Sequence, residues 1–118
     1  MTADPIEGQV LLVAGAKASV APERLPALVD QVQAALEPRA DRYRRQFECV
    51  HEDEDRAVFL AAPDHWATLG EDLGLRERER NAIRRAHEEQ VHRIGRRTDR
   101  EAEFETALEI RTPVVIGL

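Results

Sequence analysis

The chain predicts an α+β fold, with several helices packed on a small antiparallel sheet made of a β-hairpin and a C-terminal strand. Three observations carry this reading. Apolar residues recur at helical spacing over 26–36 and again over 75–97. Between those stretches the period drops to two. Phe47, Cys49 and His51 alternate with Glu48 and Val50, and Val58 and Leu60 alternate with Ala57, Phe59 and Ala61. The last residues, Val114 to Leu118, would make a poor free tail and are expected to pair in the sheet or at a subunit edge. At 118 residues there is room for a single domain, 1–118, with one modest core.

A first helix is expected from Pro5, capped by Asp4, with Glu7 three residues on as in a capping box. Ile6, Val10, Val13, Ala14 and Lys17 then follow helical spacing. A buried strand over Val10–Val13 competes, and the capping signals favour the helix. Leu25 precedes a proline and is biased away from helical geometry, so a second helix is expected to start at Pro26. Its buried stripe is Leu28, Val29, Val32, Ala35 and Leu36. Pro38 breaks the run, and Ala40, Tyr43 and Phe47 resume it as a short third helix or a bent continuation.

Glu52, Asp53, Glu54 and Asp55 separate the two alternating runs, which predicts a hairpin with an acidic turn. Pro63 and Asp64 open a short helix around Trp66, Gly74 supplies a turn, and a long arginine-studded helix follows to Arg97. Two readings compete over 99–110. Thr98 and Glu101 repeat the capping-box pattern, whereas Phe104, Thr106, Leu108 and Ile110 alternate strictly with Glu105, Ala107, Glu109 and Arg111. The preferred reading is a short helical turn followed by a third strand running to about Ile116. The expected core is Val10, Leu28, Val32, Leu36, Tyr43, Phe47, Val58, Leu60, Trp66, Leu69, Leu73, Ile83, Val91, Ile94, Leu108 and Ile110.

Charged residues make up 34% of the chain, above the usual quarter, and the net charge is −6. The cations are 16 arginines and a single lysine, Lys17, with one asparagine, Asn81. That bias suits a GC-rich genome, and the acidic balance suits a high-salt cytoplasm. Charge is also blocked along the chain, with residues 51–75 carrying −6 and residues 76–100 carrying +4. One cysteine, Cys49, makes no internal disulfide, so a reducing cytoplasm is the expectation. The start MTADPIEG has no basic leader, and the apolar run Val10 to Ala16 is far shorter than the ~20 residues that span a bilayer, so a soluble protein with no membrane partner is expected.

The stretches IEGQVLLVAGAKA, PERLPALVDQVQ, HEDEDRAVFL and EFETALEIRTPVVIG resemble short haloarchaeal proteins of an uncharacterised family. The resemblance spans most of the chain, includes no catalytic motif and implies no activity.

Functional readings start from residues 66–97. Leu69, Leu73, Gly74, Leu75 and Ile83 sit where a helix-turn-helix wants its core and turn, and Arg76, Arg78, Arg84 and Arg85 would then face DNA. Arg80 stands where that motif usually buries a β-branched residue, Glu77, Glu79, Glu88 and Glu89 would face the phosphates, and the chain is acidic. The wheel of 75–94 favours a solvated face laced by the pairs Arg84–Glu88, Arg85–Glu89 and Glu89–Arg93, with Ala82, Ile83, Ala86, His87, Gln90, Val91 and Ile94 inward.

An enzyme is not expected. Ser19 is the only serine, and Cys49 with His51 is the one thiol–imidazole pair that a strand could align. A lone cysteine there is more often a small buried hydrophobe. No cofactor or metal is expected either. The four histidines are scattered, and the HEDED run lacks the glycine and spacing of an EF-hand loop. The preferred reading is a cytoplasmic, non-enzymatic protein-interaction or regulatory module, binding an unknown protein or itself through the C-terminal strand, with DNA binding as the alternative.

Overall fold

The computed structural model describes residues 4–18, 20–21 and 23–118. In chain order its elements are α1 (Gly8–Ala18), α2 (Arg24–Leu36), a 3-10 turn (Glu37–Arg39), α3 (Ala40–Gln46), β1 (Glu48–Glu52), β2 (Arg56–Ala61), α4 (His65–Asp72), α5 (Glu77–Thr98), α6 (Glu101–Ala107) and β3 (Thr112–Gly117). The strands form one antiparallel sheet in the order β1-β2-β3. The α+β expectation therefore holds. Ser19, the only serine, lies outside the described residues.

Helix α5 is the axis of the molecule. Ala82, Ile83, Ala86, His87, Gln90, Val91, Ile94 and Gly95 are buried along it, and the face its period predicts is the face it hides. The hairpin also forms as expected. Asp53 closes its turn by accepting the backbone N–H groups of Asp55 and Arg56 at 2.8 and 3.1 Å. Strand β2 is central, and all six of its residues are buried, because both faces of the sheet are covered. Pro38 sits in the 3-10 turn that separates α2 from α3.

Two helix starts need correction. Helix α1 begins at Gly8, not Pro5. The carboxylate of Glu7 does not close a capping box with Asp4; it binds Arg97 through two hydrogen bonds of 2.7 and 2.8 Å. Val10 and Ala14 are buried as expected, but Val13 is 44% exposed. Helix α2 begins at Arg24, so Pro26 lies within the first turn, where the missing N–H costs little. Burial of Leu25 at 0% exposure outweighs the pre-proline bias.

At the C-terminus the preferred reading holds, a short helix followed by a third strand. Residues 101–107 are helical, and β3 is confined to Thr112–Gly117. The alternation from Phe104 to Ile110 is coincidental. Phe104 is buried, Leu108 is half-buried, and Ile110 is 69% exposed. Phe47 and Leu73 are also only partly buried, packed at the margin of the core. The largest wholly buried side chains include Phe59, Phe104, Leu25 and Ile116, none of which belonged to the expected core.

Candidate interaction site

The outer surface of α1 is the first unusual feature. Its inner face places Val10, Ala14 and Gly15 in the core, yet Leu12, Val13 and Ala16 face solvent. Leu12 is 65% exposed. Leu12, Val13 and Ala16 are hydrophobic surface that the domain itself does not cover, next to the polar Gln9 and Lys17.

At the C-terminal end of that face lies an open cleft of about 550 Å³, lined by Lys17, Ala18, Glu77, Arg78, Asn81, Arg84 and Arg85. A second cleft of about 530 Å³ adjoins it through Arg78, with Val20, Ala21, Arg24, Arg76 and Glu79 in its walls. Arg76, Arg78, Arg84 and Arg85 are thus distributed over one basic surface. Their charge is partly spent. Arg84 is bound to Glu88 at 2.8 Å, and the Glu79 carboxylate accepts both the Arg76 backbone N–H at 3.0 Å and the Arg24 guanidinium at 2.9 Å. Those two bonds hold the Glu79 carboxyl below its usual pKa, the backbone donor contributing most.

Of the three helical pairs expected on α5, only Arg84–Glu88 forms as drawn. Glu89 turns to Lys17 of α1 at 3.1 Å, and Arg93 reaches Gln9 at 2.7 Å and Glu7 at 3.6 Å. The helix therefore uses its charges to hold α1. Glu7 is the centre of that attachment. Its backbone N–H donates to Gln90 Oε1 at 2.8 Å, while Gln90 Nε2 and Arg97 donate to its carboxylate. The Arg97 bonds, opposed by partial burial and helped by Gln90, pull the Glu7 pKa down to about 2. Among the described residues, Arg78 and Arg85 have no carboxylate within ion-pair distance.

A different cluster lies beneath α4. Tyr43, His65, Trp66 and His87 form a continuous aromatic series, with ring centroids 5.6, 4.5 and 4.5 Å apart in that order. Tyr43 Oη lies 2.6 Å from His65 Nε2. Burial pushes the His65 pKa down to about 4 and raises that of Tyr43, so the phenol donates to a neutral imidazole. A phenol held in its protonated form is a packing hydrogen bond, not an activated nucleophile. His87 Nδ1 accepts the Val115 N–H at 2.9 Å, which puts the ring proton on Nε2. Complete burial takes the His87 pKa to about 3. The core-histidine expectation for His87 holds.

The possible thiol–imidazole couple does not form. A register irregularity between Cys49 and His51 separates them; the Cys49 thiol donates to the His51 carbonyl, and the imidazole binds Asp53 at 2.9 Å. Cys49 is exposed, contrary to the expectation of a buried hydrophobe. Among the described residues, no group of three or more His, Cys, Asp or Glu side chains converges as a metal site, and no helix is long and apolar enough to cross a membrane.

The C-terminal segment pairs in the sheet as expected, with β3 running antiparallel beside β2. Along its other edge, Gln33 and His87 bind the Val115 carbonyl and N–H and the Gly117 N–H, which covers part of that edge. Composition could not have identified the exposed face of α1 as a surface, but the all-apolar run from Val10 to Ala16 was its signal.

A family model described as "Domain of unknown function (DUF8048)" matches residues 4–118. No curated protein matches the chain. No solved structure matches it either.

Proposed function

The protein belongs to this family of unknown function, and on that premise we propose that it is a non-enzymatic interaction or regulatory module that offers α1 to an acidic protein partner. One observation carries the reading: Leu12 and Val13 are exposed on a helix whose other face is already buried. Burying those side chains would contribute about 25 cal/mol per Å² of apolar area covered. Arg78 and Arg85, without a carboxylate partner among the described residues, stand at the end of the same face and would select acidic residues in the partner. On a chain of net charge −6, that local excess of cations also directs the encounter.

The reading places the protein in the cytoplasm as a soluble component. DNA is disfavoured because Glu77 shares the cleft and Glu88 neutralises Arg84. The test is a photo-crosslinking residue at Leu12 in the native host, with the adducts identified by mass spectrometry. The expected result is an adduct to a protein segment rich in Asp and Glu, lost in Arg78→Glu/Arg85→Glu. Adducts no more abundant than those from a control site at the exposed Glu105 would overturn it. So would an adduct to a second copy of the chain, or duplex DNA binding abolished by the same charge reversals.

A further inference from the structure

A cleft of about 230 Å³ between α4 and α5, lined by Pro63, Trp66, Ala67, Glu77, Arg80, Asn81 and Arg84, adjoins the basic cleft through Glu77, Asn81 and Arg84. Arg80 is its unusual member. The side-chain stem lies flat against Gly70, so close that a Cβ on Gly70 would stand 2.0 Å from Arg80 Cδ. That contact fixes the guanidinium at the cleft instead of letting it extend into water. Its Nε is buried and has no hydrogen-bond partner among the described residues. No carboxylate there comes within ion-pair distance of it, although the neighbouring Arg84 is satisfied by Glu88.

A buried Nε–H with no acceptor is unfavourable, because nothing replaces the water it has lost. Trp66 adds a second donor. Its Nε1 is likewise buried without a partner, on a residue only 5% exposed. Asn81 adds an exposed amide on the rim. Pro63, Ala67 and the indole contribute the apolar part of the lining.

We propose that this cleft binds a small oxyanion carried on an apolar or aromatic body, with Arg80 and Asn81 holding the anionic group and Trp66 backing the remainder. The planar guanidinium presents parallel N–H groups that match a carboxylate or phosphoryl group. Glu77 in the same lining disfavours extended polyanions, which sets the ligand class apart from nucleic acid.

Trp66 is the only tryptophan, so its fluorescence reports on the cleft directly. The experiment titrates the full chain with benzoate and with phenyl phosphate at ionic strength held constant by chloride. Benzyl alcohol serves as the neutral control. A saturable change with either or both anions is expected, the stronger of the two identifying the carboxylate or phosphoryl source. Arg80→Gln is expected to weaken it by about tenfold or more, the loss of one charge-assisted pair. Circular dichroism checks that this variant is folded. Asn81→Asp, at an exposed position, provides an independent variant that places a negative charge at the rim and must also weaken binding. The proposal is overturned by an equal response to benzyl alcohol, by undiminished anion binding in either folded variant, or by no saturable response to both anions.

Discussion

Gln33 grips the outer edge of β3 with both ends of its amide. Nε2 donates to the Val115 carbonyl at 2.7 Å, and Oε1 accepts the Gly117 N–H at 2.9 Å. A helix side chain thus takes the place of a fourth strand, and His87 completes the arrangement from α5 by accepting the Val115 N–H. Pro113 brings no N–H to this strand, so the edge needs few donors satisfied.

Replacing Gln33 with Leu roughly keeps the volume but leaves a buried carbonyl and a part-buried N–H unpaired. The expected cost is about 1–3 kcal/mol, read from the urea midpoint at constant m-value. Sedimentation of the same variant should show concentration-dependent association, because the unpaired edge becomes a template for another chain. A variant as stable and as monodisperse as the parent would remove Gln33 from this role.

Stability should fall on mild acidification, through the two buried histidines. Their folded pKa values, about 4 for His65 and about 3 for His87, lie below the ordinary 6.5, so the unfolded chain takes up the protons first. Their contribution is complete above pH 6.5 and is lost progressively as pH falls toward 4 and 3. Glu7 and Asp53, each held at about 2, add a further loss below their ordinary values near 4. For Asp53, the hydrogen bonds from His51 and the turn backbone overcome an opposing desolvation. Melting temperatures across pH 4–8 should therefore decline below pH 6.5, with a smaller decline in His65→Gln/His87→Gln.

Trp66→Ala should cost about 3–5 kcal/mol, because the indole is 5% exposed and packs edge-on to His65 and at a tilt to His87. Calorimetry on the variant checks it, and an unchanged melting temperature would contradict the packing described.

Gly70→Ala should destabilise by about 1–3 kcal/mol, since the new methyl overlaps the Arg80 stem. Combining it with Arg80→Ala should recover part of that loss in a double-mutant cycle. Strict additivity of the two changes would mean that the residues do not meet.

What could be read from the amino acids alone is what local chemistry controls. The inward face of α5 follows from its period, the hairpin from its alternation and acidic turn, and the α4–α5 turn from Gly74, which adopts φ +68°. The α+β class follows from those elements together. The choices that define the surface were made elsewhere. Glu7 had a plausible local use as a capping residue, but Arg97, 90 positions away, took its carboxylate. Gln33 carries no local signal, and Arg80 stood out only as an arginine where a helix-turn-helix buries a β-branched residue; their roles arise from β3 and from Gly70. The alternation from Phe104 to Ile110 suggested a strand, yet the fold buried Phe104 and left Ile110 in solvent. Backbone periodicity depends on neighbours in the chain. The partner of a polar side chain depends on which distant atoms packing brings within 3 Å, and only the folded chain decides that.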